Sequence, residues 1–175
     1  MPNLTASISI AASPDTVWLA LVDFPRWVNW NPFLRDLEGV ALAGERVRVT
    51  IDPNYEALFA EMAGTPDLSR FENTLVLKKR STYRPRIINY DPGRLLTWET
   101  RNLFLGSYQH RFALRLGLDE RTHFEQRVSM SGLLVGVGWE TAIEPLYRGG
   151  MKLMNLGLKH WVESGAGNLA IDFEA

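Results

Sequence analysis

The side chains best suited to chemistry in this sequence are its three histidines, His110, His123 and His160. An imidazole titrates near neutrality, so it serves as acid, base or metal ligand. None of the three has metal-site spacing. There is no His-Glu-x-x-His, and no pair of histidines joins a carboxylate on one local element, so no metal is expected. The chain has no cysteine. That removes thiolate nucleophiles, cysteine-held clusters and disulfide staples. "GVGWET" lacks both the preceding parallel strand and the third glycine of a dinucleotide loop. No Gly-x-Ser-x-Gly elbow exists. No cofactor is expected.

His110 is the histidine whose setting matters. In "SYQHRFALRL", Tyr108, His110, Phe112 and Leu114 alternate with Gln109, Arg111 and Arg115. In "RTHFEQRVSMSG", Phe124, Gln126, Val128 and Met130 alternate with His123, Glu125, Arg127 and Ser129. Period-two alternation of this kind marks strands with one buried face. His110 and Gln126 therefore point inward. A buried histidine is either a hydrogen-bonded core group, or an anchor or acid–base group for a ligand. A buried amide without a partner costs a few kcal/mol. Tyr108, His110, Gln126 and Tyr147 form a sparse polar set in apolar surroundings. They either satisfy each other or face a ligand, and the residues alone leave both readings open.

Other elements must hold these strands. "NLTASISIAA" alternates as a half-buried strand. Ser13 then caps a helix with Pro14 in its first turn and Val17, Trp18, Leu21 and Val22 at helical spacing. Pro25 breaks it. "RWVNW" is a short helical turn ended before Pro32. "FLRDLEG" and "GERVRVTIDP" read as strands, the second with Val47, Val49 and Ile51 inward. "YEALFAEMAG" reads as a short helix and "TLVLKKR" as a strand. "PRIINYDPGRLLTWETR" is strand, Asp-Pro-Gly turn, strand. From Gly138 to Ser164 the period becomes helical, with Ile143, Tyr147, Gly150, Met154, Leu158 and Trp161 in one stripe. Pro145 marks a kink or a late start. Glu140 and Glu144 read as a solvated face, and "KKR" (Lys78 to Arg80) as a solvated strand end. Gly149, Gly150 and Gly157 cost helix stability, so either the sheet comes close there or a cavity needs the room.

The order is strand, two short helices, further strands and one long helix. Strands joined by short turns pair antiparallel. Their single apolar face needs a cover, and the long helix is the large element available. The expected fold class is α+β: a curved antiparallel sheet of about six to seven strands wrapped around a long C-terminal helix. Residues 1–164 form one domain, with 53–80 as an extended loop insertion and 165–175 as a tail. Composition agrees, at 46% hydrophobic and 22% charged. A formal net charge of −1 argues against a nucleic-acid partner. No run reaches the roughly 20 apolar residues of a membrane span. The start lacks the features of a signal peptide, so a cytoplasmic location is expected. The oligomeric state stays open, a homodimer included.

"SPDTVWLALVDFPRWVNWNPF", "GRLLTWETRNLFLGSYQHRFALRL" and "RTHFEQRVSMSGLL", in this order and spacing, resemble the helix-grip, START-like (SRPBCC) superfamily, and within it the polyketide cyclase/dehydrase-like branch. The resemblance covers residues 4 to 164. It implies space between sheet and helix that takes a hydrophobic small molecule or lipid, for binding, transport or sensing. The alternatives are a cyclase/dehydrase-like enzyme using the same space, with His110 as its acid–base group, or a partner-binding module. The implied lining is Val49, Trp98, Tyr108, His110, Phe112, Phe124, Gln126 and Val128 on strands, with Phe104 on a loop and Tyr147 and Met154 on the helix. Met151 and Met154 are either core or an adaptable wall. Trp27 is either wall or core, and Trp30 and Phe33 read as core. Many members carry inward His and Glu where this chain has Gln126 and Val128, so a carboxylate is missing from the implied pocket. The stretches at 53–80 and 101–107 would sit at its mouth, the second tipped by Leu103, Phe104 and Leu105.

Overall fold

The computed structural model describes residues 2–62, 79–102, 106–132, 135 and 139–166. The chain begins with β1 (Asn3–Ile10) and α1 (Pro14–Val22). Ser13 Oγ accepts from the Thr16 amide at 3.3 Å and caps α1. A 3₁₀ helix, Phe24–Asn29, follows. Next come β2 (Leu34–Glu38), β3 (Arg48–Ile51), α2 (Tyr55–Met62) and β4 (Ser81–Tyr83). β5 (Arg86–Asp91), β6 (Leu95–Asn102), β7 (Gly106–Leu116) and β8 (Thr122–Ser131) lead to the long helix, α3 (Glu144–Glu163).

The strands form two antiparallel sheets, ordered β1-β8-β7-β6-β5 and β2-β3-β4. The break falls between β5 and the chain entering β3. Even there the backbone pairs: Val47 N donates to Pro85 O at 3.0 Å and Ile87 N to Glu45 O at 2.8 Å. The eight strands of the described residues thus make one wrap with a seam, divided into sheets of five and three, where one sheet of about six to seven strands was expected. The hairpin between β5 and β6 turns on Asp91-Pro-Gly-Arg94. Gly93 sits at φ +74° and Arg94 N donates to Asp91 O at 3.0 Å. That is a type II turn, which needs a positive φ at its third residue.

The core lies between the inner face of the large sheet and α3. From β7 and β8 it takes His110, Phe112, Leu114, Phe124, Gln126, Val128 and Met130, all buried. α3 contributes Leu146, Tyr147, Gly150, Met151, Met154, Leu158 and Val162. Pro145 falls in the first turn of α3, where the missing amide donor costs nothing. Trp139–Ile143 forms a π turn before it. Pro145 thus marks the point where the π turn gives way to the α-helix.

The three helix glycines are explained by neither the sheet nor open space. A Cβ at Gly157 would collide with the Trp30 carbonyl oxygen, one at Gly150 with the Phe33 ring and one at Gly149 with the Tyr55 hydroxyl. The segment "WNPF" and α2 press on the helix where it has no side chains. Asn31 fixes that segment. Its Oδ1 accepts from the Phe33 and Leu34 amides at 3.0 and 2.9 Å, which ends the 3₁₀ helix and starts β2.

Candidate functional site

The candidate site is the inner face of β6, β7 and β8 where it meets α3 and β4. Cross-strand register sets it. Trp98 on β6 pairs with His110 on β7, which pairs with Val128 on β8, and Thr100 pairs with Tyr108. Phe112 pairs with Gln126. These residues occupy the buried parity of their strands, so the register brings them together.

A continuous line of hydrogen bonds runs across this face. Tyr83 donates to the Tyr108 hydroxyl at 3.4 Å, the weakest link of the line. The Tyr108 hydroxyl meets His110 Nδ1 at 3.0 Å, and His110 Nε2 meets Gln126 Oε1 at 3.0 Å. Gln126 Nε2 donates to Met151 O at 3.3 Å and to Asn155 Oδ1. The helix end of the line fixes every proton in it. Met151 O is a carbonyl and only accepts, so the Gln126 amide nitrogen must face it. Gln126 Oε1 then faces His110 and only accepts, so the proton of His110 sits on Nε2. Nδ1 is left bare and accepts from the Tyr108 O–H.

Every titratable member of the line is neutral near pH 7. Burial lowers the His110 pKa to about 3, and the Gln126 bond opposes the shift only partly. Burial likewise pushes the Tyr83, Tyr108 and Tyr147 hydroxyls well above their ordinary value. Asp52 is the one fully buried charged residue among the described residues, and Arg80 Nε pairs with it at 2.7 Å. The inner face therefore offers dipoles and aromatic surface, with no net charge.

Aromatic rings wall the line. His110 stacks on Phe112 at 4.2 Å between centroids, and Phe112 lies parallel to Phe124 at 6.3 Å. Trp98 meets His110 edge-on at 5.8 Å and Phe112 at 4.9 Å. Tyr147 lies 5.7 Å from Tyr108 and edge-on to Phe33 at 5.3 Å. Val49, Val128 and Met154 are fully buried in the same core. Trp27 is fully buried too, and its Nε1–H donates to Leu21 O at 2.9 Å. Trp30 and Phe33 are buried beside it. Phe104 and its loop neighbours lie outside the described residues, as do 63–78 and with them all of "TLVLKKR" but Lys79 and Arg80.

Tyr83 and Tyr108 keep part of their surface accessible, whereas His110, Gln126 and Trp98 do not. Tyr83 and Asn155 belong to the line and were not singled out in the sequence. Asn155 had a signal: residues 151, 155, 158 and 162 repeat at helical spacing, with one amide among three apolar side chains. Tyr83 sits on a three-residue strand, too short for a period to show. A separate groove of about 420 Å³ lies outside, lined by Trp30, Phe59, Leu156, His160 and Trp161 among others.

A profile of the family described as "Polyketide cyclase / dehydrase and lipid transport" matches residues 1–155. No curated protein sequence matches the chain significantly. Among solved structures, TTHA0849 from Thermus thermophilus aligns at TM-score 0.64 and 16% identity, over 94% of this chain and 99% of that one. A START superfamily protein from Mycobacterium smegmatis aligns at TM-score 0.62 and 12% identity, over 93% and 97%. The di-domain ARO/CYC protein BexL from the BE-7585A biosynthetic pathway aligns at TM-score 0.64 and 13% identity, over 95% of this chain and 48% of that one. At such identities the likeness shows the fold, which is the helix grip.

Proposed function

The chain belongs to the polyketide cyclase/dehydrase and lipid transport family, and from that premise we propose that it binds a hydrophobic small molecule between the large sheet and α3. The reading rests on one observation above others. One line of polar groups, from Tyr83 to Asn155, closes on itself across the inner face in an uncharged, aromatic-walled interior. Such a face recognises apolar surface and orients a ligand with few polar contacts. Burial of apolar area would drive binding, at about 25 cal/mol per Å².

The same line speaks against His110 as a general base. A base near pH 7 needs a pKa near 7 and a free lone pair. His110 has a pKa of about 3, and its bare nitrogen already accepts from Tyr108.

Native mass spectrometry of protein purified from cells, with solvent extraction of the same sample, tests the reading. The expected result is one noncovalently held apolar molecule per chain. A bare mass from every preparation, together with no rise in melting temperature across a screen of apolar compounds, would contradict it.

A further inference from the structure

Two polar groups on the inner face have no partner among the described residues: Trp98 Nε1 and Thr100 Oγ1, both buried. They sit two residues apart on β6 and so share a face. Register sets Trp98 beside His110 and Thr100 beside Tyr108. Trp98 is fully buried. Its indole N–H faces the Tyr83 oxygen without reaching hydrogen-bond geometry. A buried donor left unpaired costs on the order of 1–3 kcal/mol.

From this geometry we infer that the interior selects an uncharged ligand bearing an acceptor oxygen, a ketone or an ester, which takes its hydrogen bonds from Trp98 Nε1–H and Thr100 Oγ1–H. The inference rests on the binding reading above and names the chemistry of its ligand. Tyr83 is the group that yields. β4 is three residues long and lies at the edge of the small sheet. Among the described residues the Tyr83 hydroxyl makes one hydrogen bond, the 3.4 Å contact to Tyr108, with the Trp98 indole beside it. Its ring stands edge-on to Tyr108 at 5.4 Å and stays partly accessible. When it swings aside, a ligand oxygen reaches the indole N–H and the threonine hydroxyl. The Tyr108 O–H is spent on His110 Nδ1 and does not serve the ligand.

The lack of charge sets the exclusion. The one fully buried charge among the described residues, Asp52, is already paired, and His110 is neutral. A carboxylate drawn into this interior loses its hydration and finds no cation. A hydrocarbon enters but leaves the two donors unpaired.

Calorimetric titration with 2-acetylnaphthalene, 2-ethylnaphthalene and 2-naphthoate at pH 7 tests this, using the full chain, Trp98→Phe and Thr100→Val. Melting curves of each variant check the fold. The expected order in the native chain is ketone tightest, about tenfold above the hydrocarbon, with the carboxylate weakest. Each variant should cut the ratio of ketone to hydrocarbon affinity several-fold, and that ratio, not either affinity alone, is the readout. A preference for the carboxylate, or a ketone preference that survives both substitutions, overturns the inference. Equal affinity for all three probes overturns it while leaving the binding reading in place. If none of them binds, the inference fails, and the binding reading stands or falls by the mass spectrometry and screen given above.

Discussion

His110 is held neutral by burial, so it ties stability to pH in a defined direction. Its folded pKa is lowered to about 3 from an ordinary 6.5. The unfolded chain therefore binds a proton that the folded chain refuses, and stability falls as pH drops below about 6.5. The slope from this one group approaches about 1.4 kcal/mol per pH unit. Glu163, whose pKa is lowered from 4.5 by Lys159, Ala11 and Arg121 against the desolvation of its carboxylate, adds its loss only below that range. Glu56, whose carboxyl pKa is raised by burial, acts in the opposite sense and adds stability as pH falls, so His110 is read from the difference between the native chain and His110→Gln over pH 6.5 to 5. Urea melts across that window should show the slope in the native chain and lose it in His110→Gln. Gln126 tests the line from the other side. Gln126→Leu leaves the His110 Nε2–H unpaired and removes the contacts to Met151 and Asn155. We expect a loss of about 2–4 kcal/mol by urea unfolding at pH 7. A loss under about 1 kcal/mol would mean that the line does not hold the core together.

The elements show where sequence patterns carry far and where they stop. β7 and β8 were legible because one face is buried over ten or more residues, and a one-residue slip would turn that whole face to solvent. The strand pairings of β1 and β6 follow from the same pattern. The start of α3 was less legible. A π turn and an α-helix read alike by apolar spacing, and only Pro145 marked the boundary. The helix glycines were noticed, but what presses on them came from distant chain segments that no local pattern reveals. Gly157 gives the sharpest test. In an open helix, Gly→Ala stabilises by up to about 1 kcal/mol. Here the new methyl meets the Trp30 carbonyl, a backbone atom with little freedom. Gly157→Ala should therefore destabilise by about 1–3 kcal/mol in thermal melts. A rise in melting temperature would show that "WNPF" is not held against α3.

For the whole molecule, the wrap puts an uncharged interior behind a charged exterior. Arg111, Arg115, Glu125 and Arg127 face outward from the same strands that carry His110 and Gln126 inward. The end of α3 is tied to the first strand and the following turn. Glu163 accepts from the Ala11 amide at 2.7 Å, and Lys159 donates to Ser9 O at 3.0 Å. Sheet and helix therefore close at that end. At the other end of the interior, Tyr83 and Tyr108 retain accessible surface. The fold class was readable from element order alone, because antiparallel strands and one long helix have few ways to bury their apolar faces. The line from Tyr83 to Asn155 was only partly readable: Asn155 shares the helical spacing of residues 151, 158 and 162 but was not singled out, and Tyr83 sits on a three-residue strand where no period can show.

The most direct measurement is the position of a bound ligand. Chains labelled at methionine and valine methyls would be saturated with 2-acetylnaphthalene, and intermolecular NOEs collected. We expect contacts to the Met154 and Val128 methyls, inside the grip. Contacts confined to the outer groove of Phe59, Leu156 and Trp161, or none at saturation, would contradict binding between sheet and helix.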